Sequence, residues 1–173
     1  MDLMIDIETL STHPNAIILN IGAIGFDPFS EDVYTQHSFY SRIDIDSQTG
    51  RHELADTVDW WGKQSVEAQE EAFGEKDRMP LDMALDELSL LVRKCGRVWA
   101  NGVAFDMPIL EDAYREYNKP HPWKYWNVLD SRTLIKLNPI RQLGNSHHAL
   151  EDCIKQISIL QDTVKRLCIN KIG

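Results

Sequence analysis

A chain of 173 residues with 43% hydrophobic content has the size of one domain and enough apolar material to bury its own core, so a single domain over residues 1–173 is expected. Its three cysteines, Cys95, Cys153 and Cys168, are odd in number and lack C-x-x-C spacing. They fall in apolar-periodic stretches, which reads them as small buried thiols in a reducing cytoplasm rather than as bridges or metal ligands. No charged and apolar leader precedes the first motif and no apolar run approaches the roughly 20 residues of a membrane span, so a cytoplasmic protein without a membrane partner is expected. The formal net charge of -9 argues at first sight against a nucleic-acid partner.

Residues 3–7 form an apolar run broken only by Asp6, the pattern of a buried strand with one polar exception. An unpaired buried carboxylate is costly enough to need a reason. Residues 16–26, punctuated by Gly22 and Gly25, and residues 33–45 read as further strands, with turn chemistry in Asp27-Pro28-Phe29-Ser30-Glu31-Asp32 between them. The three together predict an antiparallel meander. From Thr57 the sequence turns polar and helix-prone through Trp60-Trp61 and residues 66–72. Pro80 then suits the first turn of a helix in which Leu81, Ala84, Leu85, Leu88 and Leu91 recur at helical spacing up to Gly96. Residues 97–101 read as a short strand, 108–117 as a helix and 127–130 as another short strand. Leu150, Ile154, Ile157, Leu160, Val164 and Leu167 mark a long last helix. The order predicts an α/β fold: a mixed sheet, three-stranded antiparallel meander plus parallel strands, flanked by helices.

Three short motifs place ionisable groups on this frame: Asp6-Ile7-Glu8, Asn101-Gly102-Val103-Ala104-Phe105-Asp106, and His147-His148-Ala149-Leu150-Glu151-Asp152. Residues two apart in a strand share a face, so Asp6 and Glu8 stand side by side, where like charges repel unless a cation bridges them. Taken alone, such a pair is commonest on a solvated strand face; the flanking Leu3, Met4, Ile5 and Ile7 argue for burial here. Asp106 follows a strand end by a short loop, where sites gather in α/β sheets. It is also placed to cap the helix opened by Pro108, and its own context favours the cap. Asn101 has a similar alternative as a turn former. With Asn145-Ser146 as capping residues, His147 stands at the start of the last helix and Asp152 just over one turn in. Ala149, three residues before Asp152, shares its face and leaves space above it. Histidine titrates near neutrality and suits a base that takes a proton from water, although a lone histidine at a helix start is usually plain surface. Together the motifs read as a two-metal hydrolytic site. Four carboxylates that hold two divalent cations gain four positive charges on loading, so the net charge of -9 misstates the field a substrate meets. Arg132, Lys136 and Arg141 are candidates to steer phosphates, or ordinary solvated charges.

In order and spacing the motifs resemble those of the DEDDh exonucleases, the proofreading-subunit-like 3'-to-5' exonuclease superfamily with a ribonuclease-H-like fold. Asp6-Ile7-Glu8-Thr9 looks like their first motif, residues 101–106 like the second, and the H-x-A-x-x-D run at 147–152 like the third, across nearly the whole chain. Thr57-Val58-Asp59-Trp60-Trp61 with Gln64, and Asp130-Ser131-Arg132-Thr133, resemble a compact subgroup that includes phage single-strand DNA exonucleases and bacterial 3'-to-5' exoribonucleases. The resemblance implies that Asp6, Glu8, Asp106 and Asp152 ligate two Mg²⁺ or Mn²⁺ ions and that His147 activates the attacking water. It also implies that Thr9 and Leu10 bracket the terminal nucleotide, with Asn101 and Phe105 of the second motif on the substrate side. The implied substrate is single-stranded DNA or RNA with a free 3' end, shortened to nucleoside 5'-monophosphates. Hard cations prefer carboxylate oxygen, and a pair stabilises both oxygens of an in-line displacement.

His148 has no role in that scheme. Trp60 and Trp61 lie roughly 100° apart on a helix and cannot both face the core alike, so one packs and the other is a candidate to stack on a base. Asp130 is a candidate support for the site or a plain strand-end turn. Other readings are a nuclease for very short RNA oligomers, a catalytically idle nucleic-acid-binding domain, and a zinc site from His147, His148 and Cys153. An idle domain has no physical reason to keep four acids crowded, and the zinc spacing fits no closed structural pattern. Either sugar is compatible, since a 2'-OH can be read by many residue types. A homodimer, common in the family, is compatible with the apolar residues of the insert between Thr57 and Gly96.

Overall fold

A computed structural model describes residues 1–138 and 146–172; Arg141 and Asn145 lie outside them. Among the described residues the sheet has six strands, with Arg78–Met79 at one edge and Val128–Asp130 at the other. Strands β1 (Asp2–Thr9), β2 (Ile18–Phe26) and β3 (Val33–Ile43) form the expected antiparallel meander. On the β1 side, β5 (Val98–Ala100) and β6 (Val128–Asp130) continue the sheet in parallel. The second strand starts at Ile18 because Ala16 is taken into an isolated bridge with His52. At the far edge β4 (Arg78–Met79) pairs in parallel with β3, an element too short to leave a hydrophobic period. It is held by Arg78, whose guanidinium donates to the carbonyls of Ile43, Ala72 and Gly74.

Alternation along β1 sorts its side chains between two layers. Leu3, Ile5 and Ile7 pack under α3 (Leu81–Val92) and α4 (Val103–Glu116), against Leu81, Leu85, Leu88 and Leu110. Met4 faces the other way, into a cluster with Cys153, Ile157, Leu160 and Val164 of α6 (Ala149–Arg166), and Asp6 and Glu8 share its side. The insert supplies α1 (Ala55–Trp61) and α2 (Val66–Phe73), which close a smaller cluster of Leu10, Leu19, Trp61, Ala68 and Ala72. A short α5 (Ser131–Ile135) follows β6. No helix among the described residues is long and apolar enough to cross a membrane.

The helix expected from Pro108 begins at Val103 instead, with Pro108 inside it. A proline there removes one bond, to the Ala104 carbonyl, while the turn into the helix is made by Gly102 at φ 112. The last helix is capped by His148, whose side chain accepts from the Glu151 N–H, rather than by Ser146. Of the three cysteines Cys153 is buried, Cys95 is half-buried and Cys168 is exposed. Cys168 falls beyond the end of α6, in a left-handed turn outside the apolar stripe.

Helix α6 lies very close to β2. A Cβ on Gly22 would collide with the backbone of Ala149 and Leu150, standing 2.7 Å from the Leu150 Cα. The Ala149 N–H donates to Asn20 Oδ1 at 3.4 Å, and Cys153 Sγ reaches the Gly22 carbonyl at 3.5 Å. Neither partner at Gly22 is a flexible side chain that can give way. Gly22→Ala should therefore destabilise the protein by about 1–3 kcal/mol, read as a lower urea midpoint. An unchanged midpoint would contradict this packing.

Candidate active site

Asp6 and Glu8 from β1 and Asp152 from the first turn of α6 bring one carboxylate oxygen each within 4.8 Å of one another. Asp152 is held by the loop before its own helix: Oδ1 accepts from Ser146 N and Oγ, both at 2.9 Å, and Oδ2 accepts from His147 N at 3.0 Å. Lys155 Nζ adds a contact at 3.1 Å. These bonds offset the left-handed backbone of His147, φ 58, a conformation costly for a residue with a Cβ.

Asp106 stands outside that group of three. It lies buried in the first turn of α4, and its Oδ1 accepts from the Ile7 N–H at 3.3 Å, so its carboxylate docks onto β1 between Asp6 and Glu8. The expectation that it caps the helix is overturned, because the helix starts earlier and Gly102 occupies the cap position. Burial pushes the Asp106 carboxyl up to about 7, opposed by the Ile7 N–H and by Arg132. Asp6 is also held well above the usual carboxylate range, by burial first and then by the charges of Asp106 and Glu8; a 2.7 Å hydrogen bond from Gln156 Nε2 works against this. Two of the four acids are thus pushed toward their neutral form by burial and by their neighbours, which is the condition an incoming cation relieves.

His147 turns Nδ1 toward Glu8 Oε1 at 3.5 Å, and this contact raises the imidazole pKa above its ordinary value. The ring sits edge-on to two indoles, Trp60 at 5.0 Å and Trp61 at 5.7 Å between centroids. The tryptophans divide as their spacing requires. Trp61 is 1% exposed and donates Nε1 to the Thr9 carbonyl at 3.0 Å, whereas Trp60 is 42% exposed beside His147. His148 leaves this arrangement and stacks on Tyr40 at 4.2 Å. Cys153 Sγ is bonded to the Met4 and Gly22 carbonyls, so His147, His148 and Cys153 do not converge and the zinc alternative has no geometry behind it.

The remaining predicted positions are set by packing. Thr9 is buried with Oγ1 on the Ser11 carbonyl at 2.7 Å, Leu10 is buried against Leu19 and Trp61, and Phe105 packs at the edge of the main core. Asn101 is half-buried; its carbonyl accepts from Arg132 Nη2, and its own Oδ1 is buried without a partner. Asp130 caps α5 and also accepts from the Gly102 N–H at 3.0 Å, so it shapes the turn that launches α4 and Asp106. Lys136 is simply exposed. Sequence reasoning missed Gln156, which looks in the sequence like any polar helix residue, and Ser146 as a ligand of Asp152.

The family model of the 3'-5' exoribonuclease Rv2179c-like domain matches residues 1–164. The chain belongs to this family. It is 28% identical over 205 residues to the "Exodeoxyribonuclease" of Enterobacteria phage T4, covering 92% of this chain and 87% of that protein. Many solved structures share its fold, among them two that align with nearly all of this chain. One is S. pombe Pop2p in a Mg²⁺- and Mn²⁺-bound form, with TM-score 0.63, 12% identity, and 99% and 86% of the two chains covered. The other is the nuclease domain of 3'hExo, a DEDDh family member bound to rAMP, with TM-score 0.62, 11% identity, and 99% and 95% covered. This Rv2179c-like domain has the ribonuclease-H-like fold and is a 3'-5' exonuclease, a hydrolase.

Its acidic cluster suits a hard divalent cation: the donors are all carboxylate oxygens, and burial followed by like-charge crowding raises the Asp6 pKa. Asp106 goes from 3.8 unfolded to about 7 folded, so the metal-free folded state binds the proton more tightly. The stability this gives is fully present below 3.8 and is lost as pH rises through about 7. Melting in chelator should therefore fall across that window. Asp106→Asn should raise the metal-free Tm near pH 8 and flatten the profile. A variant that kept the wild-type slope would rule out Asp106 as its source.

Proposed function

We propose that residues 1–173 act as one exonuclease domain that removes nucleoside 5'-monophosphates successively from the 3' end of single-stranded DNA or RNA. Asp6, Glu8, Asp106 and Asp152 would hold two Mg²⁺ or Mn²⁺ ions, with His147 as the general base. The observation that carries this reading is the convergence of Asp6, Glu8 and Asp152 within 4.8 Å, with His147 paired to Glu8. Bound there, divalent ions would supply Lewis-acid stabilisation of charge on the scissile phosphate.

The chain's own groups do the rest. With Nδ1–H directed to Glu8, the imidazole presents Nε2 as the nitrogen that takes a proton from water. The water oxygen bonds to phosphorus, the P–O3' bond breaks, and the 3'-oxygen takes a proton from solvent, so that the shortened strand leaves with a 3'-hydroxyl. Trp60, exposed beside that ring, offers a face on which a base stacks without regard to sequence. Buried Trp61 fixes the Thr9 carbonyl, and with it the end of β1 next to which the terminal nucleotide would lie. Both sugars belong to the proposed substrate class. The family's description is of an exoribonuclease, and the phage relative is named an exodeoxyribonuclease.

The test is a time course on 5'-labelled single-stranded DNA and RNA of matched sequence with Mg²⁺, Mn²⁺ or chelator, resolved to single nucleotides. A metal-dependent ladder that shortens from the 3' end is expected; intact substrate with every metal would overturn the proposal. His147→Ala should lower kcat by roughly 10²–10⁴ with little change in KM. Because the base must be neutral, the wild-type rate should rise with pH across the imidazole range as His147 loses its proton. A flat profile there would remove His147 from the mechanism. Trp60→Ala should weaken substrate binding by about 1–3 kcal/mol, seen in KM for either sugar.

A further inference from the structure

Gln156 lies on α6 one helical turn after Asp152, on the same face, and is 4% exposed. Its Nε2 donates to Asp6 Oδ1 at 2.7 Å, across from the helix to β1. The other polar atom of the amide, Oε1, is buried without a partner. An unpaired buried acceptor costs about 1–3 kcal/mol, and the inward neighbours Cys153, Ile157, Leu160 and Val164 show what this face otherwise holds. Packing therefore does not account for an amide here. Its orientation is set by chemistry, because the flipped amide would oppose two acceptors, Oε1 and a carboxylate oxygen.

Asp6 is crowded by Glu8, Asp106 and Asp152, three further groups that only accept when ionised. Gln156 brings a donor into that crowd. We propose that Gln156 is a positioning residue that pins Asp6 Oδ1 and fixes the carboxylate plane, so that Asp6 meets a divalent cation with its other oxygen already aimed. Helix α6 then supplies Asp152 directly and aligns Asp6 indirectly, one turn apart, and both carboxylates are referenced to one rigid element. This rests on the metal-dependent reading above. Groups that orient a metal ligand typically cost 10–100-fold in metal affinity or activity when removed.

The experiment is calorimetric titration of Mn²⁺ into the metal-free full chain, wild type against Gln156→Met, which keeps side-chain length and removes the donor. Mn²⁺ binding at least about tenfold weaker is expected. Exonuclease kcat should fall at low Mn²⁺ and recover as Mn²⁺ is raised, with KM for the oligonucleotide unchanged. Gln156→Asn, shorter by one methylene but still an amide, should bind Mn²⁺ with intermediate strength and covers the case in which the methionine variant fails to fold. Gln161→Met is the control: that buried glutamine on the same helix donates to the Asp27 and Asp32 carbonyls, so its loss should lower Tm without altering Mn²⁺ affinity. Folded Gln156 variants that bind Mn²⁺ within twofold of wild type, or an equal loss in Gln161→Met, would overturn the proposal. A wild-type chain that takes up no Mn²⁺ would overturn the metal reading and the role of Gln156 with it.

Discussion

The close seating of α6 against β1 and β2 is the constraint on which the rest depends. It is made possible by small residues where backbones meet: Gly22 on the strand, and Ala149 and Cys153, four apart and so on one helix face. Asn20 Oδ1 takes the Ala149 N–H, one of the donors a helix start leaves open, and Cys153 adds its weak thiol contacts to strand carbonyls. Only with the helix at this depth do Asp152 and Gln156 reach Asp6, and only then does the loop that bears His147 fold back beside Glu8. A bulkier residue at any of the three contact positions would lift the helix and dissolve the site without touching a carboxylate.

That seating concentrates like charge. Two things in the protein itself offset part of the cost. Asp106 and Asp152 both occupy first turns, of α4 and α6, where the helix dipole favours an anion. Each also accepts backbone N–H donors, from Ile7 and from Ser146 and His147 respectively. Asp6 has no such help: it sits on a strand, flanked by acids, and receives a neutral amide hydrogen bond in place of a dipole. Burial first, and then the like charge these compensations leave over, raise the pKa values of Asp6 and Asp106. A fold can carry an unbalanced cluster of this kind because two large apolar cores, one on either side of the sheet, hold it together.

What the sequence made legible follows the same division. The alternation of β1 announced that Asp6 and Glu8 share a face, and the long periods of α3 and α6 announced two helices, because local sequence alone sets those features. The H-x-A-x-x-D spacing placed His147 and Asp152 correctly relative to one turn of helix. The start of α4 was not legible: Pro108 suggested a boundary, but the helix is launched by Gly102 at positive φ, and its N–H is held by Asp130 from a different strand. Nor was β4, whose two residues are placed by the reach of Arg78 to three carbonyls. The last helix's cap was assigned to the usual polar residues, yet Ser146 is drawn off to Asp152 and the imidazole of His148 takes the position. Gln156 left no signal because its partner is 150 positions away.

The insert ties an aromatic pair to the strand that carries two of the acids. The indole Trp61 is buried, yet its N–H is tied to Thr9 at the end of β1, so α1 is fastened to the strand that carries Asp6 and Glu8. Trp60 packs edge-on to Trp61 at 5.1 Å, and both press edge-on against His147. The imidazole therefore has one side closed by rings and Nδ1 committed to Glu8, which restricts its rotation and selects the tautomer in which Nε2 is the acceptor. A base stacked on Trp60 would load the same ring pair that holds His147. The proposed base-stacking platform and the proposed proton acceptor are thus one aromatic unit anchored to the strand that carries Asp6 and Glu8, and misplacing either tryptophan would disturb the imidazole before it disturbed the carboxylates.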